Sequence, residues 1–119
     1  RELANDPGQI IRKGGIIITV TEGDAVVGTC ALFKENEETF ELARMAVEKS
    51  FRGKGLGNTL MEEALTCAKN LGAHTLFLVS NTKLKAAIGL YRKYGFTTIH
   101  EGQHPFYKRG NIVMERDVS

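Results

Sequence analysis

Apolar and polar residues follow two different periods along this chain, and the change of period marks its elements. Six short segments rich in β-branched and aromatic residues predict strands. Two longer segments carry apolar residues at intervals of three and four positions, which predicts amphipathic helices. In chain order we predict strands over 16–21, 25–33 and 39–47, a helix from about 57 to 71, a strand over 74–80, a helix over 83–94, and strands over 96–100 and 111–117.

The lengths of the connections predict how these elements are arranged. The first three strands are joined by short turns, so we expect them to pair antiparallel. The strand over 74–80 is apolar on both faces and is therefore central, and a strand–helix–strand unit forms a parallel pair. The predicted fold class is α/β (α+β), a single mixed, mostly antiparallel sheet with a central parallel pair in the order β-β-β-α-β-α-β-β. In the polar segment 1–15, a helix turn is predicted at Asp6 and Pro7.

Each predicted helix has one apolar face and is followed by a glycine. Gly72 and Gly95 stand where a left-handed residue commonly ends a helix. The faces that we expect to be buried consist of Leu60, Met61, Ala64, Leu65, Ala68 and Leu71 in the first helix, and of Leu84, Ala87, Ile88 and Tyr91 in the second.

Length and composition limit the classes of function. The 119 residues fit one domain over 1–119, with 42% hydrophobic and 25% charged residues. A net charge of +2 without a basic arm argues against nucleic acid as a partner. No apolar run reaches the roughly 20 residues that span a membrane, and no secretory leader opens the chain. The first residue is not methionine, which suggests a processed or truncated start. We expect a cytoplasmic location.

Cysteine and histidine residues give no pattern of a metal site. Cys30 lies in a strand and Cys67 in a helix, and neither has a ligand at metal spacing, so we expect reduced thiols. His100 and His104 are four residues apart, but Pro105 makes a helix there unfavourable, so the two imidazoles would not share a helix face.

A glycine-rich loop joins the third strand to the first helix. It contains Arg52, Gly53, Lys54, Gly55 and Gly57, and the helix follows without a spacer. Glycines let backbone N–H groups approach a ligand, and a helix N-terminus has unpaired N–H groups and a positive dipole. The loop therefore predicts a binding site for a phosphate or pyrophosphate.

Three nucleotide-binding motifs do not fit this loop. A P-loop needs Ser or Thr after its Gly-Lys pair, and none follows Gly53-Lys54-Gly55. A dinucleotide fingerprint needs a third glycine where this chain has Asn58 or Leu60. A kinase glycine loop lies in a hairpin, whereas this loop opens a helix. A tight turn without a ligand is the remaining plain alternative.

The loop and two further motifs resemble the Gcn5-related N-acetyltransferase (GNAT) family. The pattern Arg-x-x-Gly-x-Gly over 52–57 is similar to the family's acyl-CoA signature, and Leu-Tyr-x-x-x-Gly-Phe over 90–96 to a second motif. Glu41 precedes the Met-Ala-Val segment 45–47 by four residues, as the catalytic carboxylate does in that family. The resemblance covers residues 16–117 and implies the GNAT fold, with its N-terminal strand and helices short or missing.

The resemblance also implies an activity and a site. It implies an N-acetyltransferase that transfers an acetyl group from acetyl-CoA to a primary amine of a small molecule or peptide. Glu41, with a pKa raised by burial, is implied as the general base acting through a water, and Tyr91 as the acid that protonates the departing thiolate. The implied coenzyme-binding residues are Met45, Ala46, Val47, Arg52, Gly53, Lys54, Gly55, Leu56, Gly57, Asn58 and Asn81.

Plainer alternatives stand beside each role. Glu41 alone would be a surface carboxylate on a strand, and Tyr91 a core aromatic. A sensor that binds acyl-CoA without catalysis needs only the loop, and a chain that completes its sheet with a second copy would be a homodimer. Arg44, Tyr107 and Arg109 would either meet a carboxylate-bearing acceptor or face solvent.

Overall fold

The structure, a computed structural model, describes residues 2–6, 15–103 and 110–119. In this part of the chain, seven strands form one sheet in the order β1-β2-β3-β4-β5-β7-β6. The elements are β1 (Glu2–Asp6), β2 (Ile16–Glu22), β3 (Ala25–Lys34), β4 (Thr39–Val47), a 3-10 turn (Lys49–Phe51), α1 (Leu56–Asn70), β5 (Thr75–Ser80), α2 (Lys85–Lys93), β6 (Thr97–Glu101) and β7 (Ile112–Asp117).

The predicted fold class is confirmed. β4 and β5 pair parallel at the centre of the sheet, and all other neighbouring strands pair antiparallel. The crossover between the parallel strands is α1, as the strand–helix–strand pattern predicts. Neither of the two helices in the described ranges is long and apolar enough to cross a membrane.

The N-terminal segment differs from the prediction. Glu2–Asp6 is a strand that pairs antiparallel with β2, which the polar sequence did not predict. The helix turn predicted from Pro7 onward, with Asp6 as its N-cap, lies outside the described residues.

Both helices begin and end slightly away from their predicted bounds. Helix α2 begins at Lys85, two residues later than predicted, because Leu84 has a non-helical ψ of 68°. Leu84 is therefore 55% exposed and does not belong to the apolar face. Leu71 follows the last turn of α1 and is 41% exposed, so it too lies outside the predicted stripe.

One hydrophobic core lies between the helices and the sheet. The apolar face of α1 is buried against the three strands β2, β3 and β4, and each large side chain there contributes about 1.5–3 kcal/mol by burial. Ile88, Tyr91 and Tyr94 of the second helical segment pack against the same core while remaining partly accessible. The fully buried residues of α1 are Leu56, Leu60, Met61, Ala64 and Ala68.

A bulge in β4 shapes the region where the site lies. The register with β3 runs from Thr29↔Ala46 directly to Ala31↔Ala43, so β4 contains an extra residue at this point. Arg44, inside the bulge, has a φ of 56°, the left-handed region. A bulge bends its strand and ends regular pairing, and β4 turns away from β5 here.

Candidate active site

The site begins where two parallel strands separate. β4 and β5 pair over a short segment that ends at Glu41↔Phe77. Beyond it lies a slot of about 240 Å³ between the strands, and the slot opens into a groove of about 870 Å³ between the starts of α1 and α2. Because Met45, Leu84 and Tyr91 line both spaces, the two form one cleft. We call this space the cleft.

A left-handed glycine turn leads from β4 into α1. Gly53 and Gly55 have φ values of 79° and 82°, which other residues adopt at a cost. Gly55 is the N-cap of α1 and provides no side-chain hydrogen bond, so the first-turn N–H groups lack a capping side chain. At Gly57, a Cβ would lie 3.2 Å from Leu90 Cδ2, so glycine lets the two walls of the groove approach closely.

Two cations stand on the loop. Arg52 donates its Nε–H to the Val47 carbonyl at 3.1 Å, which ties the loop to the end of β4. The Lys54 ammonium lies 5.1 Å from the centroid of the Phe51 ring. Both side chains are exposed, and their positive charge adds to the dipole of α1 at an uncapped N-terminus. This combination favours an anionic ligand.

The opposite wall is also basic, which the sequence prediction missed. Lys83 and Lys85 line the groove at the start of α2, and the first turns of both helices contain no acidic residue. Cations near a helix N-terminus are unfavourable without a nearby anion. Two lysines just before and at the start of a predicted helix are the signal that identifies this wall.

Tyr91 lines both parts of the cleft from the α2 side. Its ring packs edge-on against Phe96, with centroids 6.1 Å apart, and contacts the core. Burial raises the pKa of the Tyr91 hydroxyl, and the nearby Cys30 thiol raises it further. The hydroxyl therefore stays protonated at neutral pH, which is the state that a proton donor needs. Tyr91 thus both packs against the core and lines the cleft.

Glu41 lies on the other face of the sheet. Its neighbours Phe40 and Leu42 belong to the core beneath the helices, and side chains alternate along a strand. Glu41 is 7% exposed and is the one buried charged side chain among the described residues. The structure therefore places Glu41 at the point where β4 and β5 separate, across the sheet from Tyr91, and not on the lining of the groove.

A hydrogen-bonded bracket joins the two helices beside the groove. Asn58 Oδ1 accepts from Lys93 Nζ at 2.7 Å and from the Tyr94 hydroxyl at 2.9 Å. Glu62 Oε2, 3.3 Å from the same hydroxyl, is the alternative acceptor for its single hydrogen. The side chain of Asn58 thus sets the spacing of α1 and α2, a role that no sequence pattern indicated.

The structure brings most predicted coenzyme residues to one place. Asn81 lines the slot, and its Oδ1 accepts from the Lys83 N–H at 3.0 Å, which stabilises the turn before α2. Within the described ranges, no three His, Cys, Asp or Glu side chains group as a metal site. The predicted residues that line the groove are Met45, Ala46, Val47, Arg52, Gly53, Gly55, Leu56, Gly57, Asn58 and Tyr91.

Comparison with known proteins agrees with this geometry. The family model described as an acetyltransferase (GNAT) domain matches residues 13–98. The uncharacterized N-acetyltransferase YvbK of Bacillus subtilis is 34% identical over 95 residues, which are 80% of this chain and 61% of YvbK. The chain thus spans about three fifths of the length of that relative.

Two solved structures share the fold. A GNAT-family acetyltransferase from Staphylococcus aureus Mu50 superimposes with a TM-score of 0.82 at 23% identity, over 95% of this chain and 73% of that one. A GNAT-family acetyltransferase from Elizabethkingia anophelis with acetyl-CoA bound gives 0.76 at 22% identity, over 95% and 85%. Together with the match of the family model over most of the chain, these findings show that the chain belongs to the GNAT acetyltransferase family.

Proposed function

We propose that this chain transfers the acetyl group of acetyl-CoA to a primary amine by direct attack of the amine on the thioester. One observation carries the proposal: the parallel strands separate beside an uncapped helix N-terminus, and a single cleft joins the two places. Such a cleft suits a long ligand that has a reactive group at one end and a pyrophosphate at the other. Membership of the family supports this assignment.

The glycine turn and the opened part of β4 bind the donor. The N–H groups at the start of α1, with the charges of Arg52 and Lys54, hold the pyrophosphate. The backbone of Met45, Ala46 and Val47 pairs with the amide groups of the pantetheine arm, since none of the strands described pairs with the β5-facing edge of β4 there. The half-buried side chains of Met45 and Val47 cover the arm.

Glu41 and Tyr91 move the protons. Glu41 accepts the proton of the acceptor ammonium through a water, which frees the nitrogen lone pair for attack. A bond from nitrogen to the acetyl carbon then forms, and the carbon–sulfur bond breaks. Tyr91 gives its hydroxyl proton to the thiolate that leaves, and the second proton that the acylated nitrogen loses returns to the Tyr91 oxygen through water. An N–H group near Met45 is suited to stabilise the oxyanion, a contribution of about 3–4 kcal/mol for one preorganised donor.

Two measurements test the proposal. Isothermal titration of acetyl-CoA into the protein should give a dissociation constant in the micromolar range, and a panel of primary amines should release free thiol from acetyl-CoA. Tyr94→Phe is the matched control for Tyr91→Phe, because it also removes one hydroxyl, whose hydrogen bonds to Asn58 or Glu62. Absence of acetyl-CoA binding contradicts the proposal.

The sensor alternative predicts a different outcome of the same experiment. A sensor binds acetyl-CoA with the same residues but acetylates no amine, and Glu41→Gln and Tyr91→Phe then change nothing. The enzyme predicts thiol release that depends on the acceptor and falls in both variants.

A further inference from the structure

Arg44 has a backbone conformation that arginine does not favour. Its φ of 56° makes it the one non-glycine residue with a positive φ in the described ranges. For an L-residue, this conformation costs on the order of 1–2 kcal/mol, and strain of this kind is found mostly at functional positions. Glycine would adopt the same conformation without cost. An arginine in this conformation therefore points to a function of its side chain.

The guanidinium of Arg44 lies on the same side of the sheet as Glu41. Its Cζ is 5.1 Å from the centroid of the Phe33 ring. Phe33 is the cross-strand partner of Glu41 in the register of β3 and β4, and directly opposed residues project from the same face. The positive charge and the buried carboxylate therefore flank the place where the strands separate, on the side away from the helices.

Among the described residues, no carboxylate pairs with this charge. Arg44 is exposed, and no ion pair or hydrogen bond to its guanidinium exists among the described residues. A guanidinium presents its N–H groups in the fork that matches a carboxylate, and a contact with an aromatic ring does not use that fork. Arg44 also lines the slot, together with Met45 and Tyr91, so this residue borders the cleft.

We propose that Arg44 binds a carboxylate of the acceptor, so that the preferred acceptors are amino acids or other amines that carry a carboxylate near the amine. This inference rests on the proposed acetyltransferase function. The acceptor's ammonium faces Glu41 and its carboxylate faces Arg44, and the opposite charges fix which end meets the thioester. Arg44 follows Glu41 by three positions, so their Cα atoms are at most about 11 Å apart, and one small zwitterion reaches both side chains.

Matched acceptor pairs test this directly. We would measure kcat/KM for glycine against glycinamide, and for β-alanine against β-alaninamide, in the wild type and in Arg44→Gln. Comparing the two proteins cancels the difference in basicity between the members of a pair. We expect the preference for the carboxylate to fall at least tenfold in Arg44→Gln, with a smaller fall in Arg44→Lys, which keeps the charge but loses the fork.

Two controls separate this role from a structural one. The dissociation constant of acetyl-CoA should stay within twofold of wild type in Arg44→Gln. Lys69→Gln removes a cation from the far end of α1 and should leave the preference unchanged. An unchanged preference in Arg44→Gln, or equal loss for both members of each pair, overturns the proposal.

A binding measurement keeps this test distinct from that of the proposed function. If acetyl-CoA binds but no amine is acetylated, the proposed function fails. The role of Arg44 is then tested by the affinity of CoA-loaded protein for N-acetylglycine and for N-acetylglycinamide. Preference for N-acetylglycine that disappears in Arg44→Gln supports a carboxylate site. Equal affinity for the two compounds, or binding of neither, overturns it.

Discussion

The two halves of β4 have opposite characters although they belong to one nine-residue strand. In the first half, Phe40, Glu41 and Leu42 are buried, and the strand pairs with neighbours on both sides. In the second half, from residue 43 to 47, the side chains alternate between half-buried and exposed, and β3 is the one strand partner in the described part of the chain. The bulge at Arg44 separates the halves.

This difference shows how a small sheet can combine stability with binding. The paired half contributes buried apolar area, and the opened half leaves backbone groups available at its free edge. A free edge inside a sheet is normally a liability for aggregation. Here Leu84 and Tyr91 stand beside that edge, so it faces a cleft instead of bulk solvent.

The largest expected effect comes from the paired half. Phe40→Ala should lower the free energy of unfolding by about 3–5 kcal/mol, because Phe40 is fully buried in the core. Met45→Ala, in the opened half, should cost less than about 2 kcal/mol, since Met45 is only half-buried, and should raise the KM for acetyl-CoA. Urea denaturation measures the first quantity. Equal losses of stability would remove the distinction between the halves.

The reactivity of the two thiols tests whether solvent reaches the core behind the opened half of β4. Cys30 lies in β3 opposite the bulge, and burial raises its pKa to about 12. Partial burial and the nearby Glu63 raise the pKa of Cys67 to about 11. Because the thiolate is the reacting form, alkylation by iodoacetamide at pH 8 should be about 1,000-fold slower than for a free thiol at Cys30 and about 100-fold slower at Cys67. Fast labelling of Cys30, read by mass spectrometry, would mean that the bulge opens to the core.

Tyr91→Phe tests the residue that borders the opened half. Loss of the hydroxyl should lower kcat about 10–100-fold with little change in the KM for acetyl-CoA, because the ring keeps its packing against Phe96. If Tyr91 is the acid, activity requires the protonated hydroxyl and should fall as pH rises through the Tyr91 pKa, which burial raises above the usual value of 10. This role would be contradicted if the wild-type rate already fell below pH 9 because a tyrosine ionised.

A glycine pair gives the smallest expected effect. Gly55→Ala forces alanine into a φ of 82° and should cost about 1–2 kcal/mol of stability, together with weaker acetyl-CoA binding. Gly89→Ala, in the exposed interior of α2 with open space around it, should instead raise stability by up to about 1 kcal/mol and leave binding unchanged. Calorimetry measures the stability of both variants, and titration measures their affinity for acetyl-CoA. Equal effects of the two substitutions would mean that the left-handed glycine has no special role in the site.

Hydrophobic periods and turn residues predict most of the fold but not the opening of the cleft. The β-branched runs and the stripe of α1 predict the central elements because burial is a strong, periodic signal. The bulge gives no such signal: Arg44 lies in an apolar run that is typical of a continuous strand. The strand β1 is stabilised by pairing with β2, a non-local contact that its polar sequence does not indicate.

The candidate site follows the same division. The glycine turn is local, and its residues predict an anion seat directly. The Asn58–Tyr94 bond joins residues that are far apart in sequence, and the lysines at 83 and 85 matter because α2 faces α1 across the groove. Such relations depend on packing, which a single sequence does not contain.

Amide hydrogen exchange of β4 with and without acetyl-CoA tests the central claim most directly. If the opened half and the glycine turn hold the donor, exchange should slow at residues 45–47 and 53–58 when acetyl-CoA is added. Exchange at 39–42 should stay as slow as in the free protein, because this half already has partners on both sides. Protection that appears elsewhere while these two segments stay unchanged would contradict the account.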